Sequence, residues 1–172
     1  MESNANIVLV GFMGTGKTST GRAIAQALRR DFIDMDEELV RRQGRSIAEI
    51  FTTDGEAHFR KLERDLVQEL AAKTNLVIAP GGGIVLNPAN IADFEKTGFV
   101  FCLRATPEMI LSRVGHDTGR PLLQGGDKLQ KITDLLAKRK PLYDAVKRQV
   151  DTDGLTPEDV AVRILRLVAE TR

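Results

Sequence analysis

Ile7-Val8-Leu9-Val10-Gly11-Phe12-Met13-Gly14-Thr15-Gly16-Lys17-Thr18 is an apolar run that stops at a loop with the spacing G-x-x-x-x-G-K-T. The run predicts a strand and the loop predicts a phosphate site. Glycines let backbone N–H groups converge on phosphate oxygens, Lys17 adds a cation, and Thr18 offers a hydroxyl to Mg²⁺. The segment from Thr20 to Arg30 is expected as the helix whose N-terminus favours bound anions. A strand before the loop and a helix after it is the context the chemistry requires, so a nucleoside triphosphate is the expected ligand.

Outward from the loop, short apolar runs alternate with amphipathic stretches, the pattern of βα units on a parallel sheet. Five strands are expected: Asn6 to Val10, Phe32-Ile33, Leu76 to Ala79, Phe99 to Leu103, and Gln149 to Asp151. Ser46-x-x-Glu49 reads as a capping box, while Asn87-Pro88, Thr106-Pro107 and Thr156-Pro157 each put a capping side chain before a first-turn proline. Phe59, Leu62, Leu66 and Leu70 recur at helical spacing between Gly55 and Ala72, with Arg60 beside that face. A further helix from Lys128 to Arg139 is expected to break near Pro141. Two stretches interrupt the alternation. Residues 34–60 insert helical material, and residues 115–127 carry Gly115, Gly119, Gly125 and Gly126, as a lid over a site would.

The chain has 172 residues and is 42% hydrophobic, which fits one domain with a real core. Its 25 basic and 24 acidic residues leave a net charge of +1, too little to attract nucleic acid or an anionic membrane by its overall field. Cys102 is the single cysteine and stands in an apolar run, so it reads as a buried hydrophobe, and a cytoplasmic location is expected. A polar N-terminus and the lack of any 18-residue apolar stretch oppose export or membrane spanning. A monomer is expected, since no heptad stripe appears.

Several residues carry candidate chemistry. Asp34 and Asp36 flank one residue at a strand end; a carboxylate near Thr18 would help hold Mg²⁺, and the other would orient an acceptor hydroxyl. Asp36 could instead simply open the helix of Glu37 and Glu38. Gly81-Gly82-Gly83 ends a strand where ligands of open α/β sheets bind. Arg120, in the expected lid, is placed to bring positive charge to a transferring phosphoryl group. Arg139 lies in a basic helix end and could serve a ligand or only the last carbonyls. His58 reads as a partly exposed helix residue, and His116 as a solvated loop residue.

In this order, residues 11–22, Asp34-Met35-Asp36, residues 44–51, Gly55 to Arg60, Gly81-Gly82-Gly83, Arg120-Pro121-Leu122-Leu123 and Arg139-x-Pro141-Leu142-Tyr143 resemble the shikimate kinases, over Ile7 to about Leu167. The resemblance implies an α/β P-loop NTPase fold, a five-stranded parallel sheet ordered 2-3-1-4-5, and phosphoryl transfer from ATP to the 3-hydroxyl of shikimate. It implies ATP contacts at Gly14, Thr15, Gly16, Lys17, Thr18, Ser19, Arg113 and Arg120, with Arg113 against adenine. It places Mg²⁺ by Thr18 and Asp34, and the acceptor among Asp36, Arg60, Gly82, Gly83 and Arg139. Lys17, Asp36 and Arg120 are then the catalytic set. Paired arginines suit a carboxylate, and Asp36 suits hydroxyls, whose proton it would accept. Gluconate or nucleoside-monophosphate kinases of the same fold are the nearest alternatives, and a nucleotide-binding domain without transfer chemistry is the more distant one. Pro80 and the loop from Asp151 to Pro157 depart from the family pattern, Pro80 by lacking a backbone donor.

Overall fold

The computed structural model describes residues 4–115 and 126–171. Five strands, β1 (Asn6–Gly11), β2 (Asp31–Asp34), β3 (Leu76–Ala79), β4 (Gly98–Arg104) and β5 (Arg148–Asp151), form one sheet in the order β2-β3-β1-β4-β5. Every pairing is parallel, with Ile7 opposite Val77 on one side and Phe99 on the other. The expected class and strand order are therefore the observed ones. Helices α1 (Lys17–Leu28), α2 (Met35–Gln43), α3 (Ile47–Asp54), α4 (Glu56–Ala71), α5 (Pro88–Thr97), α6 (Pro107–Val114), α7 (Lys128–Asp144) and α8 (Pro157–Glu170) join a short 3-10 helix, Gly82–Leu86.

The sheet is covered on both sides, which is why β1 reads as an unbroken apolar run. Alternation along it sends Ile7 and Leu9 to one core with Ile24 of α1 and Ile164 of α8. Val8 and Val10 face the other core, with Leu39, Phe59, Phe94 and Ile132 from α2, α4, α5 and α7. Cys102 is buried in that second core, and burial pushes its thiol up to about 11. Among the described residues no helix is long and apolar enough to cross a membrane.

Most helix starts follow the expected caps. Ser46 Oγ accepts from Glu49 N at 3.1 Å, Asn87 from Ala89 N, and Thr106 from Met109 N, while Thr156 and Asp159 cap each other reciprocally. Two boundaries differ from expectation. Helix α1 begins at Lys17 rather than Thr20, because Gly16 takes a left-handed φ of 90° and serves as its N-cap. Helix α7 runs through Pro141 to Asp144. Proline forfeits one backbone hydrogen bond there, but the last turn buries Tyr143 and ties its hydroxyl to Gly82, which offsets the loss. The expected lid falls largely on residues 116–125, including His116 and Arg120, and so lies outside the described residues. At its borders Lys128 Nζ donates to Gly115 O at 2.7 Å.

Candidate active site

The loop between β1 and α1 is shaped by three glycines. Gly11, Gly14 and Gly16 have φ of 146°, 75° and 90°. A Cβ on Gly11 would stand 2.6 Å from Leu103 O, and one on Gly14 would stand 2.8 Å from Val114 Cγ1. Only glycine meets both demands. Thr15 Oγ1 donates to Phe12 O at 2.7 Å, bracing the loop from within. Lys17 Nζ donates to Gly11 O at 2.7 Å and Phe12 O at 3.0 Å, so its charge is held inside the curl of the loop. Since a glycine cap offers no side-chain acceptor, the first N–H groups of α1 suit an anion.

Asp34 closes β2 and does two things at once. Its Oδ1 accepts from Glu37 N at 3.1 Å, capping α2, and its Oδ2 accepts from Thr18 Oγ1 at 2.8 Å. Asp36 lies in the first turn of α2, as the helix-opening reading has it, and also lines a cavity beside the loop. Two cavities flank the loop. One, of about 350 Å³, lies between Gly14, Ser19, Arg113, Thr152, Leu155 and Pro157. The other, of about 410 Å³, is lined by Met13, Asp36, Arg60, Glu63, Gly82 and Arg139 among others. Met13 borders one and Gly14 the other, so the loop itself is the partition.

Arg113 reaches from α6 across this loop. Its guanidinium donates to Gly14 O at 2.9 Å, Thr152 Oγ1 at 3.2 Å and Thr152 O at 3.3 Å. The segment after β5, where the family pattern was weakest, thus forms the far wall of the smaller of these two cavities.

In the larger cavity the triple glycine makes room for the charged side chains. A Cβ on Gly81 would come within 2.9 Å of Asp36 Oδ1, and one on Gly83 within 2.4 Å of Arg60 Nη1. Gly82 is 3.6 Å, by the same construction, from Met13 N and 3.7 Å from Arg139 Nη1. Arg60 pairs with Glu63 at 3.1 Å and Glu56 at 3.4 Å, and its guanidinium carbon is 5.2 Å from the centre of the Phe59 ring. Its Nε is buried with no hydrogen-bond partner. Arg139 is 9% exposed. Asp36, Arg60, Gly82, Gly83 and Arg139 therefore meet in one cavity, as do Gly14, Thr15, Gly16, Ser19 and Arg113 in the other.

Two residues of this site escaped the reading of single motifs. Glu63 is 2% exposed and faces Arg60 one turn along α4; burial lifts its carboxyl to about 6 against the pull of Arg60. Its signal was present, because Glu63 falls on the stripe of Phe59, Leu66, Val67 and Leu70, where an acid needs a partner. Tyr143 closes the motif Arg139-x-Pro141-Leu142-Tyr143, which does not reveal its contact: its hydroxyl donates to the Gly82 carbonyl at 2.7 Å. His58, 43% exposed at its side chain, is the partly exposed helix residue expected.

The chain as a whole has counterparts among known proteins. The shikimate kinase family model matches residues 13–169. The chain is 46% identical over 161 residues to a shikimate kinase from Thermodesulfovibrio yellowstonii, covering 94% of this chain and 93% of that one. The structure of shikimate kinase from Acinetobacter baumannii in complex with shikimate superposes with a TM-score of 0.93 at 39% identity, covering 99% of this chain and 96% of that one. A gluconokinase from Sinorhizobium meliloti shares only the fold, with a TM-score of 0.62 at 16% identity.

Proposed function

The chain belongs to the shikimate kinase family, an ATP-dependent kinase by that membership, and from that premise we propose how its two cavities divide the reaction. The loop-side cavity takes ATP, with Gly14, Thr15, Gly16, Lys17, Thr18 and Ser19 on the phosphates and Arg113 with the wall at Thr152 and Leu155 on the base. The larger cavity takes shikimate, its carboxylate between Arg60 and Arg139 and its hydroxyls against Asp36 and the backbone of Gly82 and Gly83. The observation that carries this reading is the pairing of two arginines and one aspartate around glycine backbone, immediately across the phosphate loop from Lys17.

Thr18 and Asp34 fit Mg²⁺. Their oxygens are 2.8 Å apart beside the loop, both are hard donors, and Mg²⁺ completes its shell with waters and phosphates. Among the described residues no cluster of three or more acidic, histidine or cysteine ligands exists, and a nucleotide-borne Mg²⁺ needs none. Bound there, Mg²⁺ would supply charge neutralisation for the phosphates. The chain's own residues do the rest. Lys17 stabilises charge on the transferred group, Asp36 orients the attacking hydroxyl and takes its proton, and the arginine clamp fixes the acceptor so that attack runs in line. Arg120, outside the described residues, is assigned by its family motif to the phosphates. A cytoplasmic monomer without nucleic-acid or membrane partners is the accompanying reading: the single cysteine suits a reducing compartment, no heptad stripe favours self-association, and a net charge of +1 gives no field for nucleic acid or membrane.

Calorimetry on Arg60→Ala and Arg139→Ala tests the division. Each charged hydrogen bond is worth roughly 1.5 to 3 kcal/mol, so shikimate affinity should fall by about tenfold to over a hundredfold while nucleotide affinity stays put. Loss of nucleotide binding with intact shikimate binding would place the arginines in the wrong cavity.

A further inference from the structure

Tyr143 stands one helical turn beyond Arg139 on α7 and is 5% exposed. Its hydroxyl donates to Gly82 O at 2.7 Å, which commits the phenolic proton and leaves the oxygen lone pairs to accept. Arg139 lies on the other side of that carbonyl's residue: a Cβ on Gly82 would stand 3.7 Å from Arg139 Nη1. The backbone of Tyr143 is itself fixed from β5, because Gln149 Nε2 donates to Tyr143 O at 2.8 Å and to Val146 O at 2.7 Å. Tyr143 does not line the acceptor cavity. It borders a separate hollow of about 100 Å³ behind the phosphate loop, beside Phe12, Cys102 and Leu136. Whatever it does for the reaction it does through Gly82.

We propose that Tyr143 is a positioning residue for the acceptor: its proton holds the Gly82 carbonyl and thereby sets the glycine backbone of the acceptor cavity at its spacing from Arg139. This rests on the assignment of Gly82 and Arg139 to shikimate. Without the hydroxyl, the Gly82 carbonyl loses its partner and the glycine backbone its fixed place beside Arg139, while the ring still fills its place in the core.

The test is Tyr143→Phe, which keeps the packing and removes only the hydroxyl. The KM for shikimate should rise about fivefold to fiftyfold, the range for a lost hydrogen bond that leaves a partner unsatisfied, with the KM for ATP within about twofold. An unchanged shikimate KM, or an equal rise for both substrates, overturns the proposal. A second readout uses the unaltered protein. Tyr143 is its only tyrosine and it has no tryptophan, so its near-UV tyrosine band reports this phenol alone. Shikimate should shift that band with the half-saturation found by calorimetry, and ATP alone should not; a band that ignores shikimate overturns the proposal as well. Failure of the underlying assignment appears elsewhere, as normal shikimate binding by Arg139→Ala.

Discussion

Gly83 measures how little room the acceptor clamp has. A methyl group there would overlap the Arg60 guanidinium, with 2.4 Å to Nη1 and 2.8 Å to Cζ, whereas the backbone of Gly83 lies outside the left-handed region and would accept alanine. The obstructed atoms are the end of a long side chain that is 26% exposed, so they can move at small cost to the fold. They cannot move and still clamp a carboxylate in the same place. Gly83→Ala should therefore raise the KM for shikimate by about tenfold or more, with a urea midpoint close to that of the unaltered protein. A variant with normal shikimate kinetics would show that Arg60 has another productive position. The glycine run reads in the sequence as a candidate ligand contact, but the room it makes for Asp36 and Arg60 depends on side chains distant in sequence and was not legible there.

The 3-10 helix that carries Gly82 and Gly83 is held from two sides. Tyr143 grips it at Gly82, and Asn90 of α5 donates from Nδ2 to Ile84 O at 3.0 Å. Asn90 is 2% exposed and accepts in turn from Arg64 of α4 at 3.1 Å, while Arg64 also pairs with Asp93 at 2.6 Å. Asn90→Ala would leave a buried carbonyl unsatisfied and a guanidinium short of one acceptor, costing about 2 kcal/mol. Urea unfolding measures that directly, and a loss below about 0.5 kcal/mol would mean that water or a local shift replaces the amide. Elements of this kind mark the limit of the sequence. Strands, caps and the phosphate loop are local signals, written within a few residues, and they gave the strands and most helix starts, whereas the sheet order came only with the family resemblance. Pro141 misled because a local rule was opposed by contacts of Tyr143 across 61 residues of chain. Asn90 was invisible because Asn87-Pro88 explained the local sequence without it.

At the scale of the whole molecule, buried and exposed carboxylates pull stability in opposite directions with pH. Glu38 and Glu69 belong to an ion-pair network with Arg41 and Arg42 that ties α2 to α4, and hydrogen bonds from those arginines hold both acids down to about 2. Their folded value lies below the ordinary 4.5, so their contribution is present above that value and is lost as pH falls through about 2. Side-chain exposures of 21% and 39% keep it small. Glu63 acts oppositely. Burial lifts its carboxyl from 4.5 to about 6, opposed by Arg60 and Arg139 and helped by Asp36, so its protonated form favours the fold. That contribution is complete below 4.5 and is lost as pH rises through about 6, amounting to about 2 kcal/mol. From these groups stability should therefore peak near pH 4.5, decline as pH rises through about 6 and level off above it, the reverse of what the surface network alone would give. Glu63→Gln should flatten the decline on the alkaline side and leave the acid side unchanged, read from urea unfolding free energies at several pH values. A decline that survives in Glu63→Gln would assign it to another group. The carboxylate that aims Arg60 into the acceptor cavity would then no longer be the one that sets the upper pH limit of the fold.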